Sequence, residues 1–109
     1  MKLAIIGSRG LCIGDLSPFV PENVSEIVSG GARGIDACAA EYAQKNNIPL
    51  TVFLPDYSHF GKGAPLKRNI LIADYADEAL IFWDGSSRGT AFTIEQFKRL
   101  GKHVTVICL

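Results

Sequence analysis

The sequence has no surplus charge of either sign, few cysteines, few histidines and no long hydrophobic run, and each shortage excludes something. Its 11 Lys and Arg are matched by 11 Asp and Glu, so the formal net charge is zero. A protein that holds nucleic acid through the phosphate backbone carries a basic excess, so affinity for anions must here come from a local site. The three cysteines, Cys12, Cys38 and Cys108, are odd in number and irregularly spaced. They describe neither a disulfide framework nor a CxxC metal clip, and read as small buried apolar residues in a reducing compartment. The two histidines, His59 and His103, stand apart, and no H-E-x-x-H or paired-aspartate pattern occurs. Neither a metal nor a cofactor is therefore expected, and no G-x-S-x-G elbow points to a serine hydrolase. The apolar run Leu3–Ile6 is cut short by Gly7-Ser8-Arg9, too early for a secretory signal, and no stretch reaches membrane-spanning length. A cytoplasmic protein without membrane contact is the expectation.

What is present fits one α/β domain. At 109 residues, 48% hydrophobic and 20% charged, the chain suits a single domain over residues 1–109 and not two. Five short apolar runs, Leu3–Ile6, Glu26-Ile27-Val28, Leu50–Leu54, Ala79–Trp83 and Val104–Leu109, predict strands. Continuous apolar runs suit strands covered on both faces, as in a parallel sheet. Between them, Ile35, Cys38, Ala39, Tyr42 and Ala43 fall on one helical face. Leu66, Ile70 and Ala73 repeat at helical spacing, as do Ala91, Ile94, Phe97 and Leu100, after which Gly101 is placed to stop the helix. Residues 11–23, with Pro18 and Pro21, have room for at most a short helix. The alternation predicts a Rossmann-like three-layer α/β sandwich with a mostly parallel five-stranded sheet.

Three polar turns then share one address. Gly7-Ser8-Arg9, Ser29-Gly30-Gly31-Ala32-Arg33-Gly34 and Asp84-Gly85-Ser86-Ser87-Arg88-Gly89-Thr90 each follow a predicted strand. In an open parallel sheet those ends lie along one edge, where the ligand crevice forms. Glycines let the backbone approach a ligand and turn its amides toward an anion, and helix starts at Ile35 and Thr90 would add positive partial charge there. The spacing is not G-x-G-x-x-G, and no acid closes the second strand, so standard NAD binding is disfavoured. Other residues have two readings. Asp36, in a helical first turn, suits the dipole whatever the function. Lys62, Lys67 and Arg68 are surface charge or reach over the crevice. Tyr57, His59 and Phe60, in the loop after the third strand, pack locally or stack on a base. His103, at the far end of the sheet, reads as surface.

Ser29 to Asp36, then Gly61-Lys62-Gly63 before Arg68-Asn69, then Phe82-Trp83-Asp84-Gly85-Ser86-Ser87-Arg88-Gly89-Thr90, together with Gly7-Ser8-Arg9, resemble the YspA-like family of the SLOG superfamily. The resemblance implies a Rossmann-like fold, often homodimeric, with a nucleotide-type ligand at the glycine-rich turns. It marks Gly7, Ser8, Arg9, Gly30, Gly31, Arg33, Gly34, Arg68, Asn69, Ser87, Gly89 and Thr90 as the pocket, to which Arg88 is added as a phosphate contact. The superfamily also holds the lonely-guy phosphoribohydrolases, whose motif places an acid just beyond the threonine. Here Ala91, Phe92 and Thr93 follow Thr90, so only Asp84, Asp36 and Arg68 are left as catalytic candidates, and an oxocarbenium-like transition state needs a carboxylate. Ser-Gly-Gly-Ala-Arg-Gly-Ile-Asp and Arg-Asn also resemble the DNA-processing protein A (DprA) core, which would make single-stranded DNA the partner. Three readings follow: a sensor or binder of a nucleotide or ADP-ribose-like ligand held by Arg9, Arg33 and Arg88; an N-glycosidic or phosphoester hydrolase; and a recombination accessory.

Overall fold

The computed structural model describes residues 1–11 and 13–109. Cys12, read above as buried, lies outside the described residues. Five strands, β1 (Lys2–Gly7), β2 (Glu26–Ser29), β3 (Leu50–Val52), β4 (Glu78–Trp83) and β5 (Val104–Cys108), form one sheet in the order β3-β2-β1-β4-β5. Every pairing is parallel, so the expected mostly parallel sheet is wholly so. Among the described residues four α-helices accompany it: α1 (Ile35–Lys45), the single turn α2 (Tyr57–Phe60), α3 (Ala64–Tyr75) and α4 (Arg88–Arg99). Among its described residues, the segment between β1 and β2 contains only the 3-10 turn Ser17–Phe19, as its prolines predict.

The period-two geometry of strands divides the apolar residues between two cores. Ala4, Ile6, Val28, Ala79 and Ile81 face α3 and α4, packing with Ile72, Ala73, Ile94 and Phe97. Leu3, Ile5, Ile27, Leu80 and Phe82 face the other way, against Leu16 and against Ile35, Ala39 and Ala43 of α1. Helix on both faces makes the three-layer α/β sandwich. Residues 3–6 of β1 are buried without exception, because β1 is central and covered on both sides.

The expectation of strands covered on both faces fails at the sheet edges. The third strand is three residues long, not five, with Leu50 and Val52 exposed, and Leu54 beyond it is 69% exposed. β5 stops at Cys108, which is exposed, and Cys38 is only half-buried. An apolar run says that a strand exists, not how many neighbours it has. In α3 the buried face is Ala64, Arg68, Asn69, Ile72 and Ala73, while Leu66 is exposed. The predicted stripe through Leu66 is rotated off the core, because a buried arginine takes the place of an apolar residue in the i, i+4, i+8 row. No described helix is long and apolar enough to cross a membrane.

The carboxyl end of α3 is closed by a side chain from another element. Lys102 Nζ donates to the carbonyls of Ala73 (2.7 Å), Ala76 (2.8 Å) and Asp74 (3.0 Å), meeting orphan acceptors at the negative pole of the helix. Lys102→Met keeps the aliphatic stem and leaves these carbonyls without their ammonium. It is expected to cost about 2 kcal/mol, read as a lower urea midpoint with an unchanged denaturant slope.

Candidate functional site

The strand order places a topological switch between β1 and β4. The chain leaves β1 toward β2 and β3, and leaves β4 toward β5 on the other side. The loops diverge at the carboxyl ends of these two strands, where open α/β sheets leave a ligand crevice. A crevice of about 420 Å³ opens there, lined by Ile6 to Gly10, Ala32, Asp36, Pro65, Arg68, Asp84, Ser87, Gly89 and Thr90. Its size is within the range of small-molecule sites. A second cavity, about 110 Å³, lies between the β1–β2 segment and α1, away from the glycine-rich turns.

One wall is the start of α4, which begins at Arg88, two residues before the predicted Thr90. Ser87 is its N-cap by position, yet its side chain makes no capping hydrogen bond. Instead Thr90 Oγ1 donates to Ser87 Oγ at 3.1 Å, and Thr90 Oγ1 and Ser8 Oγ are 3.4 Å apart. The hydroxyls of the first and third turns are thus joined, while the first-turn amides of α4 are left without a side-chain acceptor. Ser8 Oγ also accepts from the amide of Asp84 at 3.2 Å, and Trp83 Nε1 donates to the Ser87 carbonyl at 3.0 Å. These contacts hold the α4 terminus against the end of β1.

The floor is a buried ionisable pair. Arg68 is 9% exposed and Asp36 3%. Arg68 Nη1 donates to the carbonyls of Gly30 and Phe53, and Nε donates to Asn69 Oδ1 at 2.7 Å. Burial pushes its guanidinium below the ordinary arginine value, and the Asp36 charge opposes this. Asp36 Oδ2 accepts from the amide of Ala32 at 3.1 Å, while Oδ1 is buried with no hydrogen-bond partner. Desolvation raises the Asp36 carboxyl above its ordinary value; the Ala32 amide, the Arg68 charge and, more weakly, the amides of Gly30 and Gly7 pull it back. In both residues burial outweighs mutual attraction, as expected where two charges share a pocket without an ion-pair contact.

Asp84, the other carboxylate of the crevice, is in the opposite condition. It is exposed, and its Oδ1 accepts from the amides of Ser86 (2.9 Å) and Ser87 (2.8 Å). These bonds hold it below the ordinary aspartate value. Its geometry is that of a turn-stabilising acceptor before α4.

Of the residues singled out in the sequence, the crevice brings together Gly7, Ser8, Arg9, Asp36, Arg68, Asp84, Ser87, Gly89 and Thr90. Arg33 and Arg88 are exposed and do not line it, so Arg9 and Arg68 are its cations. Gly30, Gly31, Gly34 and Asn69 are not part of the lining. A Cβ on Gly30 would lie 2.7 Å from Arg68 Nη1 and 2.9 Å from Asp36 Oδ2. Gly34 has φ +74, with the carbonyls of Arg9 and Leu11 at 2.6 and 2.7 Å from where its Cβ would be. Both glycines are thus required by the fold itself. Tyr57, His59 and Phe60 are on the α2 turn, not in a loop, and none lines the crevice, although Tyr57 is near enough to act on the Arg68 charge. Lys62 and Lys67 are exposed, Lys67 over the Phe60 ring at 5.8 Å. His103 is exposed, before β5. Asp36 is in the first turn of α1, as its position predicts, and the structure adds that it is buried beside a cation. The signal was in the sequence, since Asp36 is three and seven residues before Ala39 and Ala43, on their face. Among the described residues no cluster of three His, Cys, Asp or Glu side chains could hold a metal ion.

A family model described as YspA, cpYpsA-related SLOG family matches residues 4–60, just over half of the chain. The match covers the turns after β1 and β2 and stops before Arg68 and the α4 terminus. No curated protein and no solved structure matches the chain.

The buried carboxyl predicts a pH dependence of known sign. A folded-state value raised above 3.8 means that the Asp36 contribution to stability is fully present below the unfolded value. It is lost as pH rises through the folded one. Asp36→Asn removes that loss. The stability of the variant relative to the parent is expected to increase from acid toward neutrality, measured by urea unfolding across that range.

Proposed function

The chain belongs to the YspA, cpYpsA-related SLOG family, and on that premise we propose that it binds a nucleotide-type, phosphate-bearing ligand in the crevice at the β1–β4 switch point. The observation that carries this reading is the uncapped amino terminus of α4 opening into a crevice that also holds Arg9 and Arg68. Free first-turn amides and the positive end of the helix dipole suit a phosphate, and Arg9 on the rim adds a cation where solvent meets the ligand. The linked hydroxyls of Ser8, Thr90 and Ser87 end on Ser87, whose hydroxyl hydrogen is left to donate to a ligand. Recognition is better supported than hydrolysis, because Asp84 is committed to the turn and no acid follows Thr90 within α4 until Glu95.

Single-stranded DNA is a weaker occupant. Tyr57 and Phe60 are exposed at the α2 turn, but the chain has zero net charge and two of its basic candidates, Lys62 and Lys67, are outside the crevice. A positive groove following a strand is what such binding requires.

Titration calorimetry with AMP, ADP-ribose, NAD and a short single-stranded oligonucleotide separates these readings. Saturable binding of one small ligand, with one site per chain, is the expected outcome; binding of the oligonucleotide alone would overturn the proposal. Gly89 sharpens the test, because a Cβ there meets nothing within 4 Å beyond its chain neighbours and its own helical turn, although the residue lines the crevice. Gly89→Ala is expected to stabilise the fold by about 0.5–1 kcal/mol through helix propensity. Gly89→Val is expected to fold and yet to bind the ligand more weakly, because the added atoms fill the approach to the amides.

A further inference from the structure

The ionisable side chains that line the crevice cancel when all of them are charged. Arg9 and Arg68 are its two cations, and Asp36 and Asp84 its two acids. The arginines act on an anionic ligand at full strength only when one carboxyl is neutral. Only one of the two is placed to lose its charge. Asp84 is exposed and accepts from the amides of Ser86 and Ser87, which keep it ionised. Asp36 is 3% exposed, and its Oδ1 meets no donor. It forms no ion pair with Arg68, the one ion pair among the described residues being Lys45 with Glu41. A buried carboxylate held this loosely is uncompensated for its desolvation, and a proton relieves it.

We propose that Asp36 is a proton switch for the site: it takes up one proton from solvent when an anion enters the crevice, so that acid favours the loaded state and alkali the empty one. The inference rests on the phosphate-site reading of the same crevice and adds what controls its occupancy. It needs no contact between the ligand and the carboxyl, because the coupling is through charge. The groups that act on Asp36 are the Arg68 guanidinium from α3, the amides of Ala32 and Gly30 in the turn after β2, and the Gly7 amide at the end of β1. Arg9 and Asp84 share the crevice from the turns after β1 and β4, while Arg88 of α4 and both histidines are outside its lining. An anion near Arg9 and the α4 terminus disfavours a second negative charge on the floor, so the Asp36 carboxyl, already raised by burial, is raised further in the complex. The sign follows. Affinity is level below the Asp36 value of the empty site and falls by up to about tenfold per pH unit until the value in the complex is reached. Above that it is level again.

Sulfate is the probe, because it keeps both charges from about pH 4 to 8, whereas a phosphate group changes charge near pH 6. Calorimetry of sulfate binding to the wild-type chain, repeated in buffers of different ionisation enthalpy, counts the protons taken up. The expected result is affinity that falls as pH rises, with uptake of up to one proton per sulfate bound in the falling range. His59→Gln removes an exposed group that titrates in the same range and is expected to keep both effects. Asp36→Asn is expected to bind sulfate at the level the wild type reaches in acid, with no proton uptake and no pH dependence. Sulfate bound equally at every pH with no proton taken up would overturn the switch and leave the anion site standing. So would a pH dependence that vanishes in His59→Gln or survives in Asp36→Asn. Absence of sulfate binding across the whole range would overturn the anion site and the switch together. If Asp36→Asn does not fold, the wild type and His59→Gln decide the matter.

Discussion

The structure around the crevice depends on a guanidinium taken out of water. Arg68 enters the core side of α3 and joins the carbonyls at the ends of β2 and β3, through Gly30 and Phe53, to its own helix through Asn69. Burying a cation is expensive, and the Gly30 and Phe53 carbonyls meet its Nη1 while Asn69 Oδ1 meets its Nε. One side chain therefore fixes where α3 lies against two strand ends, and the remaining geometry follows. Gly30 must be glycine to leave it room, Asp36 must lie beside it, and the α1 start must begin just after that turn.

From that constraint comes an electrostatic division of labour. Two aspartates open on the same crevice, and their environments push their proton affinities apart. The Asp84 carboxylate is wrapped by turn amides and kept ionised; the Asp36 carboxyl is desolvated and raised. Separated affinities of this kind are a mark of functional sites. The crevice consequently has a solvent-facing side with Arg9 and the α4 amides, and a dry side with Arg68 and Asp36. A ligand with a charged end and a neutral polar end fits that polarity.

The periodicity of the sequence identified the five strands and the three long helices because both signals are local. The apolar residues of β1 and β4, and the row of Ile35, Ala39 and Ala43 in α1, have the spacing that their own element imposes. Local pattern failed where burial depended on what lay across space. Leu66 looked like a core residue and is exposed, while Arg68, which read equally as surface charge or as a reach over the crevice, is buried at the crevice floor. Leu50 and Val52 had the composition of a central strand and form an edge. The position of α4 was missed by two residues, because Arg88 and Gly89 carry no start signal of their own.

The sequence by itself determined the α/β class, the parallel sheet and the three polar turns at the strand ends, since those rest on hydrophobic period and on turn residues that act within a few positions. Only the tertiary structure decided which of the turns' residues meet. It brought Ser8, Ser87 and Thr90 to one wall and Asp36 and Arg68 to one floor, and left Arg33 and Arg88 outside. The physical reason is that burial, desolvation and the pairing of polar groups are properties of contacts between distant parts of the chain. Asp36 and Arg68 are thirty-two positions apart, and nothing in the spacing of either one foretells that the other will be its neighbour.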